Sequence, residues 1–104
     1  MSVDDLRPHY QRECQKLEEQ MDHLLRFKKF GERLAWEADQ RLRFLYKNRG
    51  LTVENFQQAR YELRQQEVSY QRILLEKQKN ILQRIEETKQ SYRHAIKKME
   101  DNHT

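Results

Sequence analysis

The chain has 104 residues, of which 37% are charged and 36% hydrophobic, and it carries a formal net charge of +4 at pH 7. A mean hydropathy of -1.24 leaves little apolar surface for a rounded core and favours a thin, elongated fold. The sequence also has no apolar stretch of the length that spans a membrane. With only 2 Gly and 1 Pro, few turns can be built, which favours long helices.

The first predicted helix runs from about residue 8 to residue 48. Proline is tolerated in the first turn of a helix but not in its interior, so residues 1 to 7, before Pro8, are expected to form a separate or frayed turn. Beyond it, apolar or small residues recur at alternating spacings of three and four, as in a heptad repeat. These seam positions are Tyr10, Cys14, Leu17, Met21, Leu24, Gly31, Ala35, Ala38, Leu42 and Leu45, with a gap at Lys28. Such regular spacing argues against disorder.

A turn is predicted at residues 49–52. Gly50 can adopt the left-handed conformation that ends a helix, and Thr52 is a good N-cap for the next one. Leu51 and Phe56 have the spacing of a hydrophobic staple around that cap. Because the connection is so short, the two helices must be antiparallel neighbours.

The second predicted helix runs from about residue 53 to residue 100, and it has a seam of its own. Its seam positions are Phe56, Arg60, Leu63, Glu67, Tyr70, Leu74, Gln78, Ile81, Ile85, Thr88, Tyr92, Ala95 and Met99. The four-residue step after Leu74 is a stutter, which locally unwinds a supercoil.

Pairing the two seams gives the predicted fold. If the turn is centred near Gly50, the numbers of facing residues sum to roughly 101, because both helices rise equally per residue. The predicted pairs include Leu45 with Phe56, Gly31 with Tyr70, and Tyr10 with Tyr92. The sequence therefore predicts an all-α protein, with two long helices forming one antiparallel coiled-coil hairpin over residues 1–104.

Several large apolar residues fall outside both seams, and they are the predicted partner-binding site. Exposed aromatic residues at helical spacing mark interaction surfaces, and partner helices along them would complete a three- or four-helix bundle. The alternative is that some of these residues are only the broad flank of the coiled-coil core. The predicted site consists of Phe27, Phe30, Leu34, Trp36, Phe44, Ile73 and Leu75.

Motifs for catalysis or cofactor binding are missing from the sequence. It has no Gly-rich phosphate loop, no nucleophile elbow and no paired zinc-binding histidines, so we expect neither an enzyme nor a cofactor. His9, Cys14 and His94 converge near the open end of the predicted hairpin. A structural metal site needs four preoriented ligands, and we therefore expect no metal there.

The charge pattern and the N-terminus bear on partners and location. Basic and acidic residues are interspersed along the chain, which is typical of a solvated helix surface and predicts no specific nucleic acid. No signal-peptide pattern occurs, and the single Cys14 cannot form an intramolecular disulfide. We expect a cytoplasmic protein, or one exported without a cleaved signal peptide.

Two stretches carry a resemblance to a known group of proteins: Leu51 to Phe56, which reads LTVENF, and Tyr61 to Gln66, which reads YELRQQ. With the two-helix architecture along nearly the whole chain, they resemble the small helical hairpins of Gram-positive type VII secretion, in particular the partners encoded beside LXG toxins. The Trp-x-Gly turn of better-known members is replaced by Lys47 to Gly50, which reads KNRG. The resemblance implies a chaperone-like subunit that binds the helical N-terminal LXG domain of a toxin and targets it for export.

Two other interpretations stay open. One is the coiled-coil stalk of a flagellar or type III export apparatus, which also pairs a charged hairpin with Gln-rich helices. The other is a structural coiled-coil homodimer, which explains the same periodicity without a specific partner.

Overall fold

A computed structural model describes residues 3–102, which form two α-helices, α1 Val3–Asn48 and α2 Val53–Asn102. This part of the chain contains no β-strand. It falls into two compact units that each contain a segment of both helices. The turn unit is residues 25–76, and the terminal unit pairs residues 3–24 with residues 77–102. The predicted all-α antiparallel hairpin is confirmed, because early residues of α1 contact late residues of α2.

The two predicted seams are the inner sides of the helices. Apart from Leu45, which is 41% exposed, every predicted seam residue is buried or half-buried. The most enclosed seam residues are Leu17, Leu24 and Leu74, at 6–9% exposure. Heptad spacing predicted these positions because only one stripe per helix can be buried between two helices.

The predicted pair of Gly31 and Tyr70 is confirmed within the turn unit. A Cβ atom added to Gly31 would overlap the ring of Tyr70, so the ring occupies the space that a side chain would need. The hydroxyl of Tyr70 donates a hydrogen bond of 2.8 Å to the backbone carbonyl of Phe27. This bond fixes the ring across α1 and sets the register of the two helices.

The connection between the helices has the predicted caps. Gly50 has a φ of 70°, a left-handed conformation that glycine adopts readily. The Oγ1 atom of Thr52 accepts a hydrogen bond of 3.1 Å from the backbone amide of Asn55 and thus caps α2. The ring of Phe56 stacks on Tyr46, with centroids 4.6 Å apart and planes inclined by 17°. Tyr46 follows Leu45, the residue that was predicted to face Phe56.

The start of α1 differs from the prediction, since the helix begins at Val3 and not near residue 8. Leu6 lies four residues before Tyr10 and continues the seam, and it is only 8% exposed. Pro8 removes one backbone hydrogen bond from this helix, whereas the buried side chain of Leu6 favours the longer helix that contains it.

Tyr92 makes two further contacts within the terminal unit. Its ring lies against Tyr10 with centroids 5.1 Å apart, which confirms that predicted pair. A side-chain hydrogen bond with Tyr92 raises the pKa of Arg7 above its usual value.

Candidate partner-binding surfaces

Almost all of the exposed large apolar residues lie in the turn unit. Fourteen of them are exposed between residues 3 and 102, and all but Leu82 lie within residues 25–76. The seven predicted partner-binding residues belong to this set, with exposures of 48–64%. Large apolar residues that are exposed together in one part of a protein are typical of interaction sites.

The seven residues do not share one side of the turn unit. Two residues that are two positions apart in an α-helix are related by a rotation of about 200°. Trp36 follows Leu34 by two positions, and Leu75 follows Ile73 by two positions. Trp36 and Leu75 therefore point away from the directions of Leu34 and Ile73 on their own helices.

A shallow groove between the helices shows which residues face the same way. Trp36 and Asp39 of α1 line it together with Arg60 and Arg64 of α2. Ile73 lies nine positions after Arg64, a rotation of about 180°. Leu34 and Ile73 are thus both on the side opposite the groove.

We call the surface opposite the groove the aromatic face. Phe27, Phe30 and Leu34 follow one another at spacings of three and four, and Phe44 lies two heptads after Phe30. Glu37 and Arg41 interrupt the row between Leu34 and Phe44. The aromatic face consists of Phe27, Phe30, Leu34 and Phe44 of α1 with Ile73 of α2.

The groove side carries a second apolar row, which we call the α2 stripe. It consists of Tyr61, Val68 and Leu75, spaced by seven residues and exposed by 61%, 44% and 64%. Of these, only Leu75 was predicted as a site residue. The seven-residue spacing of these three residues was the signal in the sequence, but the adjacent seam residues Arg60 and Glu67 are charged and did not indicate an apolar flank.

An ion-pair network crosses between the helices on the groove side. The Nε atom of Arg43 donates to Asp39 at 2.8 Å, and the Nε atom of Arg60 lies 3.3 Å from the other oxygen of the same carboxylate. The hydrogen bond from Arg43 is the main reason why the pKa of Asp39 is lowered. The Arg60 guanidinium also lies over the ring of Phe56, 5.6 Å from its centroid, so the charge of this seam residue is held in place.

Charge is distributed unequally between the two helices of the turn unit. The α1 segment, residues 25–48, has seven basic and three acidic residues, whereas the α2 segment, residues 53–76, has three basic and four acidic ones. In the part of the chain that the structure describes, Arg26, Arg41 and Lys47 have no ionic partner. The aromatic face is therefore bordered by unpaired positive charge.

The terminal unit offers no comparable site. Among the described residues, no group of three or more His, Cys, Asp or Glu side chains is arranged to hold a metal ion, so the structure does not bring His9, Cys14 and His94 together. A shallow groove contains Tyr10, Cys14, Thr88 and Tyr92.

Neither described helix is long and apolar enough to cross a membrane.

No protein-family model matches this sequence, and the chain has no significant match among curated proteins or solved structures.

Proposed function

We propose that this chain is a non-enzymatic, chaperone-like adaptor that binds a helical partner protein through the aromatic face. The observation that carries the proposal is the exposure of Phe27, Phe30, Leu34 and Phe44 along one side of α1, at 48–60%. Large rings left in water on a folded helix favour burial by another protein, and a helix laid along them would form a bundle with α1 and α2.

The charge beside the aromatic face indicates what kind of helix fits. The α1 segment of the turn unit carries four more basic than acidic residues, so it attracts an amphipathic helix with acidic flanks and repels a second copy of itself. The partner class that we propose is the N-terminal LXG domain of a type VII secreted toxin, bound in the cytoplasm and targeted for export.

The test begins with the partner purified from the native host on the tagged chain, and its binding is then measured with purified variants. Phe30→Gln with Phe44→Gln removes two rings from the aromatic face. Truncating an aromatic anchor at an interface commonly costs about 2 kcal/mol, so we expect affinity to fall by at least about 30-fold.

The matched control is Leu25→Gln with Trp36→Gln, which removes two exposed apolar residues from the groove side of the same helix. We expect this variant to bind like the parent chain. An equal loss of affinity in both variants would show that the aromatic face is not the binding site. Recovery of an export ATPase in place of a toxin would support the stalk interpretation, and recovery of the chain alone would support the structural homodimer.

A further inference from the structure

A shallow depression on α1, which we call the Leu45 notch, lies at the turn end of the aromatic face. It is lined by Gln40, Arg41, Phe44 and Leu45. We propose that the partner helix fills the notch with an apolar side chain and places a carboxylate, one helical turn away, against Arg41. This inference rests on the proposed function, because it names the side chains by which the aromatic face recognises its partner.

The notch continues the row of the aromatic face along α1. Arg41 lies seven positions after Leu34, and Leu45 lies eleven positions after it. Each of these steps is a net rotation of only about 20° in an α-helix. A helix that is laid along Phe27 and Leu34 therefore reaches Arg41 and Leu45 next.

The notch is open because α2 leaves a seam position uncovered. Leu45 belongs to the α1 seam, yet it is 41% exposed. The Phe56 ring, which was predicted to face it, stacks on Tyr46. Phe44 is 55% exposed, so two neighbouring apolar side chains meet water at the end of the seam. An apolar side chain of a third helix would complete this layer and remove both from water.

The charge of Arg41 is available to a partner. Glu37 lies four positions before Arg41, a spacing at which two side chains can form an ion pair, but its carboxylate lies 3.3 Å from the Nε atom of Arg33. No residue that the structure describes forms an ion pair with Arg41. An arginine beside an apolar notch favours a carboxylate next to an apolar side chain. Because Arg41 and Leu45 are four positions apart, a helix packed along α1 meets them with residues that are three or four positions apart.

The experiment measures the affinity of Arg41→Glu for the partner that is purified from the native host. Arg41 is exposed, so circular dichroism should show an unchanged fold, and we expect the affinity to fall by about tenfold or more. The matched control is Arg64→Glu, which changes the net charge equally on the groove side and should bind like the parent chain. An equal loss of affinity in both variants, or no loss in Arg41→Glu, would overturn the proposal.

A compensating change in the partner identifies the carboxylate. When the acidic residues of the partner helix are changed to lysine one at a time, one of these changes should restore binding to Arg41→Glu. That position should lie three or four residues from an apolar residue whose change to alanine weakens binding to the parent chain. If no partner change restores binding, Arg41 does not pair with a carboxylate and the proposal is wrong.

The variant Phe30→Gln separates this inference from the proposed function, because Phe30 lies on the aromatic face outside the notch. If Phe30→Gln weakens binding and Arg41→Glu does not, the aromatic face is the site and only the notch is wrong. If neither variant weakens binding, both proposals fail. Dimers of the free chain that are abolished by Leu45→Gln would assign the notch to a second copy and overturn the inference.

Discussion

Gly31 is in the middle of α1, where a glycine costs about 1 kcal/mol relative to alanine. The structure supplies the compensation, because the ring of Tyr70 fills the space beside it and donates its hydroxyl to the carbonyl of Phe27. The residue is small because another helix needs the volume.

Replacing Gly31 by alanine tests this contact. The new methyl group must displace the Tyr70 ring, which breaks its hydrogen bond with Phe27. Overpacking costs about 1–3 kcal/mol and exceeds the gain of about 1 kcal/mol in helix propensity. Chemical denaturation should therefore show a net loss of stability of up to about 2 kcal/mol.

The control for Gly31→Ala is the same change in a Tyr70→Ala background. With the ring gone, only the helix propensity remains, and Gly31→Ala should stabilise the chain by about 1 kcal/mol. Stabilisation of equal size in both backgrounds would show that Gly31 and Tyr70 do not interact.

At the scale of the elements, the seam positions could be predicted from the sequence. The ends of the helices and the apolar residues beside the seams could be predicted only in part. A heptad repeat reports which positions are inside, and Gly50 and Thr52 mark the turn by their own backbone chemistry. The start of α1 was predicted too late because Pro8 disfavours a helix interior, which is a local property of the sequence. The burial of Leu6 depends on the opposite helix, and the local sequence does not show it. The ion pair between Asp39 and Arg60 joins positions that are far apart in the sequence, so no local sequence pattern predicts it.

The division of the predicted site into two sides was available from helix geometry. Leu34 and Trp36 are two positions apart, as are Ile73 and Leu75, and such pairs cannot share a side of one helix. What the sequence alone could not supply was the groove that joins Trp36 with Arg64, which relates the sides of α1 to those of α2.

The early start of α1 predicts that Leu6 stabilises the folded chain. Leu6→Ala removes a side chain that is 8% exposed and should lower the free energy of unfolding by about 2 kcal/mol, the low end for buried leucines because the two-helix interface is thin. Leu25→Ala, at 42% exposure, is the matched control and should change stability by about 0.5 kcal/mol or less. Thermal melts followed by circular dichroism compare the two. If Leu6→Ala melts like the parent chain, residues 3–7 contribute nothing to the fold.

At the scale of the whole molecule, a two-helix hairpin buries one stripe per helix and leaves the flanks open. In the turn unit both flanks carry apolar rows, and the charges beside them differ. The positive charge beside the aromatic face suits an acidic partner helix. The proposed function therefore places this chain inside a larger bundle, with a partner helix on the aromatic face.

The mass of the purified complex in native mass spectrometry tests this central claim most directly. We expect the wild-type chain to be recovered in a complex with its partner, and the variant Phe30→Gln with Phe44→Gln to be recovered without the partner. A partner that stays bound to this double variant, or that is lost equally from Leu25→Gln with Trp36→Gln, would contradict the proposed function.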